Sequence, residues 1–398
     1  MHYELCIMNY SVSRIEVIFI NVALIILAAG LSERMGVFKP LLPVGENTAV
    51  ERCMRAAEAA GISRIIVVTG HMRAELESVL HVSALDVERV HNNRFRDGMF
   101  SSVYAGVLAL HGVTGGLDGF FLLPADCCAI TPAIFTLLME RFAENNGEYV
   151  TRPKYQGRRG HPPLIPGKFI SPLLSYTGEN GLKGFLSPLP TIEIEMDDKS
   201  ALLDMDTPED YAELLEFLGL PAYPSPAQCS ELFAKYGTPM GIMEHGKQVA
   251  ALALNVARQM NAHGEDIDVN LLGAACLLHD ICREKLNHAR AGMEMLLREG
   301  YPTVAALVAL HMDMQGFKQD IREAELLFLS DKLCRRGEII ALEDTLAELE
   351  ERFSENPNAL KAAKERIETA KAIFDTLKTK YGAAVLEAGI MGQVTSNK

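Results

Sequence analysis

Positive charge is scarce in this chain. Lys and Arg number 38 against 52 Asp and Glu, a formal net charge of −14 over 398 residues. A nucleic-acid scaffold normally presents a basic face, so the charge balance argues against that class. A phosphate-binding protein is still allowed, provided its few cations are concentrated in one place. Eight cysteines are scattered without any pair at zinc-site spacing, and a chain this long needs no disulfide framework, which implies a reducing, cytoplasmic setting. No apolar run is long and uncharged enough to cross a bilayer. Internal repeats and low-complexity tracts are also missing. Residues 1–20 lack the basic start and small-residue cleavage site of a signal peptide and read as an extension from an upstream start codon.

The length supports two domains, each with its own core. From Asn21 to Leu218 strand-like and helical runs alternate, which predicts an α/β fold with a mostly parallel sheet. Expected strands are 22–27, 64–69 and 120–123, with a helix over 49–60. Three polar or Gly-rich motifs follow such strands, and open α/β sheets bind ligands outside the carboxyl ends of their strands. Pro221, Pro224 and Pro226 mark a linker at 219–227. Beyond it apolar residues recur at helical spacing over 241–260, 270–282, 290–299, 303–311, 324–336, 338–353 and 361–380. The expected organisation is therefore an α/β domain at 21–218, an all-α domain at 228–380 and a tail at 381–398.

The most informative stretch is 27–42, Leu-Ala-Ala-Gly-Leu-Ser-Glu-Arg-Met-Gly-Val-Phe-Lys-Pro-Leu-Leu. Small residues after a buried strand let backbone N–H groups approach an anion, and Arg34 and Lys39 add positive charge there. Neither the P-loop pattern nor the dinucleotide glycine spacing is present. The stretch resembles the signature loop of nucleotidyltransferases that join small phosphorylated molecules to a nucleoside monophosphate. That resemblance implies nucleotide binding by the backbone around Ala28, Ala29 and Gly30, and triphosphate binding by Arg34 and Lys39.

Carboxylates for a metal follow. Asp126 ends an apolar strand, where a lone carboxylate is costly unless paired or metal-bound, and Mg²⁺ takes one or two carboxylates plus phosphate oxygens. The family usually has Asp-x-Pro here; this chain has Asp126-Cys127-Cys128, two cysteines read as packing beneath the site, with a redox role as the alternative. The run Asp204-Met205-Asp206-Thr207-Pro208-Glu209-Asp210 resembles the family's Asp-x-Asp-Thr-Pro-Glu-Asp segment, which implies Asp206 as second ligand and Asp204 as a weaker candidate. Thr207-Pro208 is equally a good helix start. Asn92 through Gly98-Met99-Phe100-Ser101-Ser102 resembles the family's base and ribose segment, although serines at a helix start also serve as caps. Arg158-Arg159-Gly160-His161-Pro162 resembles an acceptor-facing turn, implicating Arg159 and His161.

These motifs together resemble the molybdenum cofactor nucleotidyltransferases. In that family Ala-Ala-Gly accompanies cytidylyl transfer, so Ala28-Ala29-Gly30 implies CTP. The implied acceptor is molybdopterin, the implied cation Mg²⁺, and no protein nucleophile is required. The helical half carries His245, His279-Asp280 and Asp331, which resemble the metal ligands of HD-domain phosphohydrolases. His288 and His311 fall where members with two metals hold the second. A His and carboxylate set suits Fe, Mn, Zn or Co. Three alternatives stay open: another acceptor such as a sugar phosphate, a handover protein that delivers a cofactor to a molybdenum hydroxylase, and a helical half that senses nucleotides. Nucleic acid and membrane partners are not expected.

Overall fold

The computed structural model describes residues 20–82, 87–111, 116–314, 317–335 and 338–382. Almost all of the expected extension and tail lie outside the described residues. Two compact units divide the chain. One takes residues up to Gly30, Cys53–Pro124 and Ile130–Leu202; the other takes Leu31–Arg52, Ala125–Ala129 and the chain from Leu203 on.

The first unit is a mixed, mostly parallel sheet with helices. Its strands are β1 (Val22–Leu27), β2 (Arg64–Thr69), β3 (Glu88–His91), β4 (Gly119–Pro124), β5 (Val150–Tyr155), β6 (Arg158–Arg159), β7 (Leu164–Pro166) and β8 (Thr191–Glu195). They lie in the order β8-β5-β7-β4-β1-β2-β3, with β6 paired to β5. β1 runs parallel to β2 and β4, while β7 runs antiparallel to β4 and β5. β1 and β4 read as unbroken apolar runs because both faces are covered. Leu27 stands opposite both Val68 and Pro124, so β1, β2 and β4 finish level with one another. The chain leaves each at the same edge, the one where ligands of open α/β sheets sit.

The second unit holds the loop after Gly30, the segment after β4 and the helices. Helix Pro208–Phe217 starts with a reciprocal cap between Thr207 and Asp210. Its Tyr211 is fully buried and donates a hydrogen bond to the Pro43 carbonyl. The remaining helices are Pro226–Tyr236, Met240–Ala262, Val269–Leu278, His288–Arg298, Pro302–Leu310, Glu323–Leu333, Leu342–Arg352 and Pro357–Tyr381. Two differences from the expected helices bear on function. The second long helix stops at Leu278 instead of 282, leaving His279 and Asp280 in the turn beyond its end. A short antiparallel pair, Cys334–Arg335 with Glu338–Ile339, separates two runs that were expected to be wholly helical. Cys334 is extended and Ile340 N–H bonds back to Leu333 O at 2.8 Å, closing that pair where β-branched isoleucines follow. Among the described residues no helix is long and apolar enough to cross a membrane.

Gly246 sets the spacing of the two helices that carry His245 and lead to His279. A Cβ there would lie 2.6 Å from the Leu277 carbonyl oxygen. Alanine would favour the helix by up to about 1 kcal/mol, but displacing backbone costs about 1–3 kcal/mol, so the collision wins. Gly246→Ala is expected to lower the melting temperature; an unchanged thermal melt would refute the close approach.

Candidate functional site

Lys39 opens a single 3₁₀ turn, Lys39–Leu41, and its N–H bonds to Ser32 Oγ at 3.1 Å, so the loop is folded onto itself. Its ammonium lies 2.5 Å from Asp126 Oδ2 and 2.8 Å from Asp206 Oδ1. The other oxygen of Asp206 meets Arg34 at 2.6 Å, and the Arg34 side chain is otherwise 72% exposed. Four of the expected transferase residues are thus one cluster. Burial opposes the charge on Lys39, but Asp126 and Asp206 outweigh it and raise its pKa. Burial likewise pushes Asp206 up, and Lys39 with Arg34 pull it below the ordinary value. Asp204 makes neither ion pair. Desolvation first, and the Asp206 and Asp126 charges next, push it up to about 6. Cys127 and Cys128 are buried, and burial pushes the Cys128 thiol up to about 12. That environment favours packing over thiolate chemistry.

In the first unit, Ala28 and Ala29 are buried and continue the sheet: Ala28 N–H bonds to Val68 O at 3.0 Å, and Ala29 O accepts from His71 N at 3.1 Å. Gly30 faces open space. Ser101 and Ser102 are tied to Asn92, whose amide donates to their hydroxyl oxygens at 2.8 and 3.0 Å. Ser101 also donates to the Arg94 and Gly98 carbonyls at 2.8 Å each. Both hydroxyls therefore brace the turn before helix Met99–Leu110. Arg159 is exposed on β6 and pairs with Glu193 at 2.5 Å, where Lys154 also lies at 3.2 Å. His161 is fixed through its backbone N–H to Ala201 O at 2.8 Å. Beneath this turn Arg152 is the less obvious cation. Burial and the Arg159 charge lower its pKa, and its Nε is buried without a hydrogen bond. Only its place in a basic cluster signalled it.

The helical half assembles all six expected His and Asp residues. His245 Nε2 lies 3.1 Å from Asp331 Oδ1, and His279 Nε2 lies 3.4 Å from the same oxygen. Asp280 faces two ways. Its Oδ2 stands 3.6 Å from His279 Nε2 and 3.9 Å from His245 Nε2, while its Oδ1 stands 3.3 Å from His288 Nε2 and 3.6 Å from His311 Nε2. Two groups result, His245–His279–Asp280 and Asp280–His288–His311, each compact enough for one metal ion. His279 Nδ1 rests on the Cys276 carbonyl at 2.8 Å and His311 Nδ1 on the Val308 carbonyl at 2.7 Å. A carbonyl accepts only, so each Nδ1 carries the proton and each Nε2 offers its lone pair to the cluster. His279 Nε2 and Asp280 Oδ1 are buried without a well-formed hydrogen bond, the state expected of atoms shaped for a cation. Burial would raise the Asp280 pKa, but the neighbouring imidazoles, His288 first, hold it well below the carboxylate range. Arg283 and Lys332 pair with Asp280 and Asp331, a role that periodicity did not reveal.

Residues 24–194 match the family described as MobA-like NTP transferase domain, and residues 242–336 match the HD domain. Over 187 residues, 47% of this chain, the sequence is 29% identical to the molybdenum cofactor cytidylyltransferase of Escherichia coli (strain K12), covering 92% of that protein. A 93-residue stretch, 22% of this chain, is 37% identical to a tRNA (cytidine(56)-2'-O)-methyltransferase of Thermoplasma volcanium and spans 26% of it. Among solved structures, a nucleotidyl transferase from Methanothermobacter thermautotroptrophicus is 25% identical, with 50% of this chain and 97% of that one covered at a TM-score of 0.42.

Asp204 gives the cluster a pH signature. A carboxyl raised to about 6 contributes its full stability below the ordinary carboxylate value and loses it as pH climbs through about 6. Asp204→Asn should therefore match the unaltered chain near pH 4 and exceed it in stability at pH 8, measured by urea midpoints. Equal midpoints at both pH values would contradict the raised pKa.

Proposed function

We propose that this chain, a MobA-like NTP transferase domain followed by an HD domain, transfers CMP from CTP to molybdopterin and hydrolyses a phosphate ester in its helical half. The observation that carries the first part is the convergence of Asp126 and Asp206 on Lys39, with Arg34 beside them. Carboxylate oxygens that share one ammonium can share one Mg²⁺, and that ion would neutralise triphosphate charge. Lys39 and Arg34 then give their own charge to the triphosphate. The acceptor phosphate attacks the α-phosphorus in line, the α–β bridging P–O bond breaks, and pyrophosphate leaves. Positioning and charge neutralisation suffice, so no nucleophilic side chain is used.

Ala28, Ala29 and Gly30 bind the nucleotide in this reading, and the side chain at Ala29 favours cytosine over a purine. Ser101 and Ser102 act by shaping the base and ribose segment. Arg159 and His161 face the acceptor. The identity with the cytidylyltransferase of E. coli, which nearly spans that protein, supports CTP and molybdopterin. A sugar phosphate is the second reading, because Cys127-Cys128 depart from the family's Asp-x-Pro pattern beside the site.

For the helical half, His245, His279, Asp280 and Asp331 would hold one metal, and His288 and His311 a second through the far oxygen of Asp280. Fe, Mn, Zn or Co would supply Lewis-acid activation of water and phosphate. Arg283 and Lys332 keep the two aspartates ionised and oriented.

Three outcomes test this. With Mg²⁺ and CTP, molybdopterin should yield the cytosine dinucleotide while sugar 1-phosphates yield nothing; equal transfer to a sugar phosphate would refute the acceptor. Lys39→Ala should lower the transfer rate by about 10²–10³-fold and cost about 1–3 kcal/mol of stability, chiefly through Asp126 left without its cation while Asp206 keeps Arg34; an unchanged rate would remove its role. In the helical half, His279→Ala should abolish phosphate release from a panel of Mn²⁺-supported phosphate esters and leave nucleotidyl transfer intact. Release that persists in this variant would refute hydrolysis at the HD cluster.

A further inference from the structure

Beside the His and Asp cluster lies a cavity of about 860 Å³, with His245, Asp280 and Asp331 in its lining. That volume falls in the range of about 300–1,000 Å³ typical of small-molecule sites, far more than a bare phosphate needs. Residues of helices Leu342–Arg352 and Pro357–Tyr381 also line it, and both helices lie beyond the HD match ending at residue 336. We propose that these two helices are the recognition wall for the substrate of the helical half. The substrate would be an organic phosphate carrying a flat ring and a second anionic group. This rests on the reading of the cluster as a phosphate-ester site.

Charge is the first support. In a chain of net charge −14, five cations among the described residues line this cavity, Arg283, Lys332, Arg335, Arg352 and Arg366, beside the carboxylates Glu244, Asp280, Asp331 and Glu348. Four have carboxylate partners, two of them the metal-facing aspartates. Arg352 has none among the described residues. Its guanidinium stands 5.3 Å from the centroid of the Phe353 ring, so cation and ring present one composite surface. The second support is apolar. Leu349 and Ile367 are buried behind that surface and Phe353 is half-buried, giving a face on which a heterocycle stacks. A phosphoryl group at the cluster and an anionic, ring-bearing body at Arg352 and Phe353 would both find partners in this one lining. An arginine in the last turn also favours the helix dipole, and the experiment separates that role from recognition.

The probes are CDP, with a ring and two phosphates, and glycerol 2-phosphate, with neither a ring nor a second phosphate. Each is titrated calorimetrically into the Mn²⁺-loaded full chain carrying Lys39→Ala, which weakens nucleotide binding at the transferase cluster. Adding Arg352→Ala or Phe353→Ala should weaken CDP binding about tenfold and leave glycerol 2-phosphate unchanged. Three results would overturn the proposal: no CDP binding, CDP affinity unmoved by both variants, or equal weakening of the two probes. Turnover followed in the same samples separates the readings. Arg352-dependent CDP binding without hydrolysis removes the hydrolase reading and keeps the wall. Hydrolysis with Arg352-independent affinity does the reverse.

Discussion

One lysine lets two carboxylates face each other. Asp126 and Asp206 lie 87 and 167 residues from Lys39 in sequence, yet both bond to its ammonium. Without a cation between them, like charges this close repel and one would be driven to hold a proton. Lys39 therefore ties three segments together: the folded loop on Ser32, the exit of β4 and the capped turn at Thr207. Those segments belong to the same compact unit as the helical half.

The HD cluster solves the related problem with one aspartate instead of one lysine. Asp280 sends an oxygen to each of two imidazole pairs, and backbone carbonyls fix the tautomers of His279 and His311. Both clusters concentrate charge inside a chain that is acidic overall, and both place it where phosphate oxygens could replace the internal partner. In the proposed reading, an acidic chain handles an anionic substrate in this way: its cations are few, and carboxylates hold them in place.

Much of this was legible in the sequence because the signals were local. β1 and β2 lie over 22–27 and 64–69 as apolar periodicity indicated, and Thr207-Pro208 does start a helix through a reciprocal cap. The His and Asp residues of the helical half were visible as types in order. Long-range geometry was not visible. Nothing in a one-dimensional pattern says that Lys39 contacts Asp126, that Asp280 divides its oxygens, or that β7 runs against its neighbours. Helix ends were also misplaced at Leu278, where Ile281 and Cys282 continue the apolar pattern beyond His279 and Asp280. The cation-lined cavity was least legible, because Arg352 and Arg366 read as ordinary solvated charges on amphipathic helices.

The most direct test of the account is pyrophosphate release by the purified chain with Mg²⁺ and molybdopterin, comparing CTP with GTP and the unaltered chain with Asp126→Ala. The account predicts release with CTP alone and its loss in the variant. Equal release with GTP, or undiminished release from Asp126→Ala, would contradict it.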